Sequence, residues 1–332
     1  MRRLLRTQTA VSTGVSPAVL VFLAAAVVFL VIGSVVSSIF AQQTVAGLSD
    51  GAIFGSLALA LVLIYRATEV VNFAQGEMAM FTTYVAYQLT VWGLTYWLAF
   101  SVTLVFAFLF GIVVQLLFIR PVQHRSVIAV VIVTVGLFIL IDGLVTWKWG
   151  ADLRFMPAPF GTTLYHVGSV TISRQDIGVI IVSIISVLLL WVLFRFTKLG
   201  LGMRASALRP AAASLVGVRV DSMLAIGWGL AAALGAVAGM MTVQTIFLGI
   251  LQPTIMQAVL LYAFAAAVLG GLESPAGAVV GGLLIGVFLN LIGQYVGFAT
   301  SELRLPIAFA VLLLVLLVKP TGLFGRRQVR RV

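Results

Sequence analysis

The 332-residue chain is 62% hydrophobic and only 9% charged, with a mean hydropathy of +1.21, whereas soluble domains carry roughly 25% charged residues. Its 20 basic and nine acidic side chains cannot cover a water-soluble surface, which excludes soluble enzymes, disordered tails and fibrous folds. Zero Cys excludes disulfides, thiolate metal sites and cysteine nucleophiles, and the net charge of +11 is dispersed between apolar runs, so it reads as a membrane-topology bias and not as a nucleic-acid footprint.

The first apolar run, 18–40, follows Arg2, Arg3 and Arg6. It is longer than a signal-peptide core, and Ile39-Phe40-Ala41 is no small-x-small cleavage site, so a retained helix is predicted. With the N-terminal tail it forms a unit 1–44, ahead of a main domain 45–327 and a basic tail 328–332. Runs at 47–65 and 72–90 flank a polar break, Val70-Val71-Asn72-Phe73-Ala74-Gln75-Gly76-Glu77. Asn72 and Gln75 have capping-box spacing, and Glu77 falls in the first turn, where the helix dipole favours an anion. The same three side chains are candidates for lining a substrate path, because irregular polar backbone at membrane depth is tolerated only against protein or water. Asp50 and Asp142 fall near helix ends, where solvated or capping roles are expected.

Runs at 98–119 and 127–146 lead to a long connection, 147–175, with Trp147, Trp149, Pro157, Pro159 and the β-prone Val170-Thr171-Ile172. It is predicted to be an ordered extracytoplasmic loop whose tryptophans join the interfacial aromatic belt. After the run at 177–195 comes a second long connection, 196–222. Here Pro210 and Gly217 punctuate a short helix over 210–216, ~10 Å long, with Arg204, Arg209 and Arg219 around it. Such a helix either docks in a partner's groove or lies on lipid. The remaining runs are 223–242, 255–272, 276–297 and 303–318. A turn at 268–277 separates two of them, with Ser274 as N-cap, Pro275 as first helical residue and Glu273 as an interfacial charge.

Ten continuous apolar runs, in place of short alternating strands, predict an all-α integral membrane bundle of about ten transmembrane helices. Glycines four apart at 51/55, 235/239, 277/281, 282/286 and 293/297 predict close helix approach. With the N-terminus in the cytoplasm, sixteen of the 20 Lys/Arg fall on inner connections, which predicts two cytoplasmic termini. No G-x-x-x-x-G-K-[ST] cradle is present, and His124 and His166 lie on opposite sides in this topology, so neither a nucleotide site, a metal site nor a catalytic triad can be assembled. No enzyme is read from these residues.

Taken in order, GAIFGSLAL at 51–59, Ile64-Tyr65, VVNFAQGE at 70–77, RPV at 120–122, GMRASA at 202–207, LVGVRVD at 215–221, AVLGG at 267–271, PAGAVVGG at 275–282 and KPTGLFG at 319–325 resemble the permease subunits of bacterial branched-chain amino acid ABC importers. The resemblance covers about 47–327. It implies a multi-pass protein of the bacterial inner membrane that pairs with a second permease, two cytoplasmic ATP-binding subunits and an extracytoplasmic substrate-binding protein. ATP and Mg would sit on those partners, with no cofactor on this chain. The resemblance also implies that the 204–221 segment is the ATPase-coupling element, carried by Arg204, Arg209, Pro210, Ala211, Ala212, Leu215, Gly217 and Asp221. The chain departs from the pattern at Gln75, where relatives usually show His, at Ala211, where they often have an acidic residue, and at Glu273-Ser274. The cargo implied is a branched-chain amino acid, with other amino acids, short amides or urea as alternatives. The competing reading is an ion-coupled secondary transporter, which would be expected to show several embedded charges and an internal repeat. The sequence displays one strong embedded charge, Glu77, and no legible repeat.

Overall fold

The computed structural model describes residues 17–123, 125–161, 163–167, 170–297 and 303–325. Among them are twelve helices: α1 (Pro17–Val36), α2 (Ser38–Thr68), α3 (Gln75–Val91), α4 (Tyr96–Val114, extended by a π-helical turn Gln115–Ile119), α5 (Val127–Trp149), α6 (Arg174–Phe196), α7 (Lys198–Leu208), α8 (Pro210–Leu215), α9 (Val220–Thr245), α10 (Ile255–Gly270), α11 (Pro275–Tyr295) and α12 (Arg304–Val318). The strands are β1 (Arg154–Phe155), β2 (Leu164–Val167), β3 (Val170–Ser173) and β4 (Ile250–Leu251). The predicted runs map onto helices, except that 18–40 passes the break at Ser37 into α2, and the architecture is the expected all-α membrane bundle. Six helices, α2, α4 with its π turn, α5, α6, α9 and α11, are long and apolar enough to cross a membrane; α10, α12 and 23–35 of α1 are shorter apolar helices.

The first boundary differs from expectation. Ser37 ends α1 and caps α2, its side chain accepting from Phe40 N at 3.4 Å. α2 then runs unbroken through residue 44, so its first turns belong to the same rod as the main domain. Every residue from Gly51 to Ile64 is buried, as befits a helix that is apolar on all sides. α2 can be this enclosed because α11 approaches at backbone distance. A Cβ on Gly282 would fall on the backbone of Gly55, and one on Gly286 on that of Gly51. Two predicted glycine pairs thus form one antiparallel seam. The pair at 293/297 makes no such contact: Gly293 faces the Arg304 guanidinium, and Gly297 lies beyond the end of α11 in open space.

The repeat that the sequence hides is present in the packing. α4 lies along α9 as α11 lies along α2, α3 packs on α9 as α10 packs on α2, and α5 and α12 flank α3 and α10 respectively. Side-chain identities do not repeat, so only the helix arrangement shows it. The lack of a legible repeat is accordingly no argument against a carrier.

Contacts sort the connections onto two faces. On one, β1 pairs with β4 and Gln43 Nε2 donates to Gln294 Oε1 at 3.2 Å. On the other, Arg120 meets Asp221 at 2.8 Å, and the backbone N–H groups of Leu323 and Phe324 donate to Leu269 and Gly270 carbonyls. Within the connection expected at 147–175, β2 and β3 form a hairpin in which Val170-Thr171-Ile172 takes part. Its tryptophans divide. Trp147 is exposed, but Trp149 turns inward, stacks near Tyr84 at 5.2 Å and donates Nε1–H to Gln88 Oε1 at 2.9 Å. The half-buried Gln88 amide supplies the partner that an interfacial indole would otherwise take from water.

Candidate functional site

The polar break begins where α2 ends in a left-handed Glu69, whose N–H donates to Tyr65 O. Asn72 follows, almost wholly buried, and its Oδ1 accepts from Ala74 N at 3.1 Å while Nδ2 donates to Gln75 Oε1 at 3.2 Å. Gln75 Nε2 in turn donates to Ala231 O, in the middle of α9, at 3.0 Å. The predicted capping box is therefore not what starts α3. The residue before the helix is Ala74, which lacks a side-chain cap, and Gln75 is spent on another helix. Because Ala231 lies midway along α9, the break sits deep within the bundle.

Gly76 lies against Leu260 and the Met256 carbonyl, which places the first turns of α3 and α10 side by side. Glu77 is fully buried there, and among the described residues neither carboxylate oxygen makes a hydrogen bond of ordinary geometry. Gln257 of α10 and Asp142 of α5 face it. Of the three predicted path residues, Asn72 and Gln75 thus hold protein together, and Glu77 alone keeps unspent polar atoms. Asp50, expected to be solvated or capping, instead accepts from Asn290 Nδ2 at 2.8 Å across the α2–α11 seam.

The second constellation starts at Thr197, whose hydroxyl caps α7 by accepting from Gly200 N at 3.0 Å. Arg209 precedes α8, Pro210 occupies its first turn, and Gly217 with φ +85° lets the chain turn away. α8 ends at Leu215, one residue short of expectation, since Val216 already departs from helical geometry. Within it only Ala213 is buried; Ala211 and Ala212 are exposed, and Leu215 and Val216 are 87% and 79% exposed. Arg204 lies on α7 toward α2, away from α8's apolar tip. Asp221 opens α9 and is engaged by Arg120 at 2.8 Å and by Gln123 Nε2 at 3.4 Å, so it ties this segment to the α4–α5 turn.

Sequence reading missed Arg120, Gln123, Gln257 and Asn290. For Arg120 a signal existed: RPV and LVGVRVD, quoted as separate motifs, supply the two ends of one ion pair. In the same way KPTGLFG folds onto AVLGG. His124 and the tails 1–16 and 326–332 lie outside the described residues. His166 Nδ1 lies 3.0 Å from Thr171 Oγ1 within the β2–β3 hairpin.

A family described as branched-chain amino acid transport system / permease component matches residues 43–316. The chain is 32% identical over 307 residues to the high-affinity branched-chain amino acid transport system permease protein LivH of Escherichia coli (strain K12), covering 88% of this chain and 98% of that one. It is 29% identical over 306 residues to the corresponding permease BraD of Pseudomonas aeruginosa, with the same coverage. A probable branched-chain amino acid transport permease LivH of Methanocaldococcus jannaschii is 30% identical over 283 residues, covering 81% of this chain and 87% of the relative.

Proposed function

The chain belongs to the family of branched-chain amino acid transport permease components, and from that premise we propose that it forms the membrane path for a branched-chain amino acid driven by ATP hydrolysis on partner subunits. It is a multi-pass membrane permease of the ABC importer kind. In the proposed assembly a second permease completes the path, two ATP-binding subunits dock on one face, and a substrate-binding protein delivers cargo to the other. The supporting observation for the docked face is α8, a short rigid helix that holds its apolar side chains out of the bundle while basic residues flank it. Among the described residues, Arg66, Arg120, Arg125, Arg195, Lys198, Arg204, Arg209, Arg219 and Lys319 fall on connections or helix ends of that face, against Lys148, Arg154, Arg174 and Arg304 elsewhere, which supports a cytoplasmic orientation. Glu77 is assigned to the route because a fully buried, unpartnered carboxylate is costly for the fold alone.

The names of the relatives favour this reading over an ion-coupled carrier. The test is purification of the chain from its own membrane with whatever accompanies it, followed by reconstitution. ATP-binding subunits should co-purify, and uptake of leucine, isoleucine or valine should require ATP. Uptake by the chain alone on an ion gradient would overturn the proposal.

A further inference from the structure

A cavity of ≈ 540 Å³ lies between α2, α6, α7 and the start of α11. Leu59 and Leu63 of α2, Val187 and Trp191 of α6, and Val279 of α11 make its walls apolar. Its charged lining is confined to one end, where Arg66 of α2 and Arg204 of α7 stand together. Leu188 and Trp191 on its α6 wall are 52% and 55% exposed, so the cavity opens sideways toward the bilayer.

The groove fits within one leaflet. Leu59 and Arg66 are two turns apart on α2, about 10 Å, whereas half of the hydrocarbon core is roughly 15 Å. The arginines then lie at headgroup level and the apolar walls at acyl-chain depth. Arg66 is exposed and Arg204 half-buried, and the charges acting on Arg66 are the Glu273 carboxylate and the Arg204 guanidinium. Guanidinium pairs at a membrane interface match the geometry and charge of a phosphodiester. A zwitterionic amino acid would find no partner for its ammonium group along these walls, so the cavity does not suit the proposed cargo.

We propose that this groove holds an anionic phospholipid of the cytoplasmic leaflet, with its phosphate between Arg66 and Arg204 and an acyl chain laid between α6 and α11. Basic pockets between helices on the cytoplasmic side are the expected sites for such headgroups. Because α7 is one wall and α8 follows it directly, a bound lipid also fixes the base of α8. That consequence rests on the coupling reading above; lipid binding does not.

The test uses the full chain, which has no native Cys, with a fluorophore on Leu188→Cys in phosphatidylcholine nanodiscs. Nitroxide-chain phosphatidylglycerol should quench it several-fold more than nitroxide-chain phosphatidylcholine at equal mole fraction. The double variant Arg66→Gln/Arg204→Gln should quench equally with both lipids, whereas Lys198→Gln, exposed and outside the groove, should keep the preference. Ala207→Phe, which fills the groove and leaves both arginines in place, should also abolish it. Equal quenching in the parent chain overturns the proposal, as does a preference that survives either the arginine double variant or Ala207→Phe.

Discussion

At the scale of single residues, Glu77 and Asp221 carry the same kind of charge in opposite surroundings, one buried and one half-exposed. Glu77 is buried beside Gln257 and Asp142 with no hydrogen bond of ordinary geometry among the described residues, so its charge adds little to the fold. Glu77→Gln is therefore expected to leave assembly and thermal stability unchanged or improved while lowering uptake tenfold or more, about 1.4 kcal/mol in the transport barrier. Parallel melting and uptake assays check this; a variant that loses stability and uptake together makes Glu77 a structural residue. Asp221 is the opposite case. Its pair with Arg120 has side chains 42% and 53% exposed, so solvent screens it, and a double-mutant cycle of Arg120→Gln and Asp221→Asn should give a coupling energy below about 1 kcal/mol. Larger coupling would mean the pair is dry in the assembled complex. The sequence marked both residues, but the Arg120 partner of Asp221 and the α10 neighbour of Glu77 were legible only from the fold. Spacing showed that Asn72 and Gln75 could bond one another, and they do, but only the fold reveals that Gln75 also holds α9.

Among elements, the legible features were those written in local chemistry. Pro210 and Gly217 delimited α8 to within a residue because each acts through its own backbone: a missing N–H at the start and a positive φ after the end. What stayed hidden was everything requiring two distant segments, such as which glycine pair meets which. The α2–α11 seam leads to a direct prediction. Gly282→Ala places its methyl on the backbone of Gly55 and should cost on the order of 1–3 kcal/mol, read as a lower melting temperature. Gly136→Ala on α5, where a Cβ meets nothing within 4 Å, should be neutral or slightly stabilising. For α8, Leu215→Asp should cost the isolated chain little, since the side chain is 87% exposed. Docking would bury an unpaired carboxylate at a cost of several kcal/mol. Membrane insertion and pairing with the second permease should persist, while capture of the ATP-binding subunits and uptake are lost. Normal capture and transport would remove α8 from the coupling role.

For the whole molecule, the sorting of connections onto two faces makes sidedness testable. Single cysteines at Arg209→Cys and Leu164→Cys should react with an impermeant maleimide from opposite sides, the first only from the cytoplasm; outward labelling at 209 inverts the assembly proposed above. The membrane class and the ten runs were legible because the bilayer imposes length and polarity on each segment separately. The packing repeat was not, because it is carried by helix arrangement alone. The α2–α11 seam also bears on how the protein is made. Gly51 and Gly286 touch but are more than 200 residues apart in the chain. At about 5–20 residues per second of synthesis, α2 waits roughly 10–50 s for its partner. During that interval its glycine face has only lipid or the insertion machinery against it. That side of α2 is therefore enclosed only once α11 has been made.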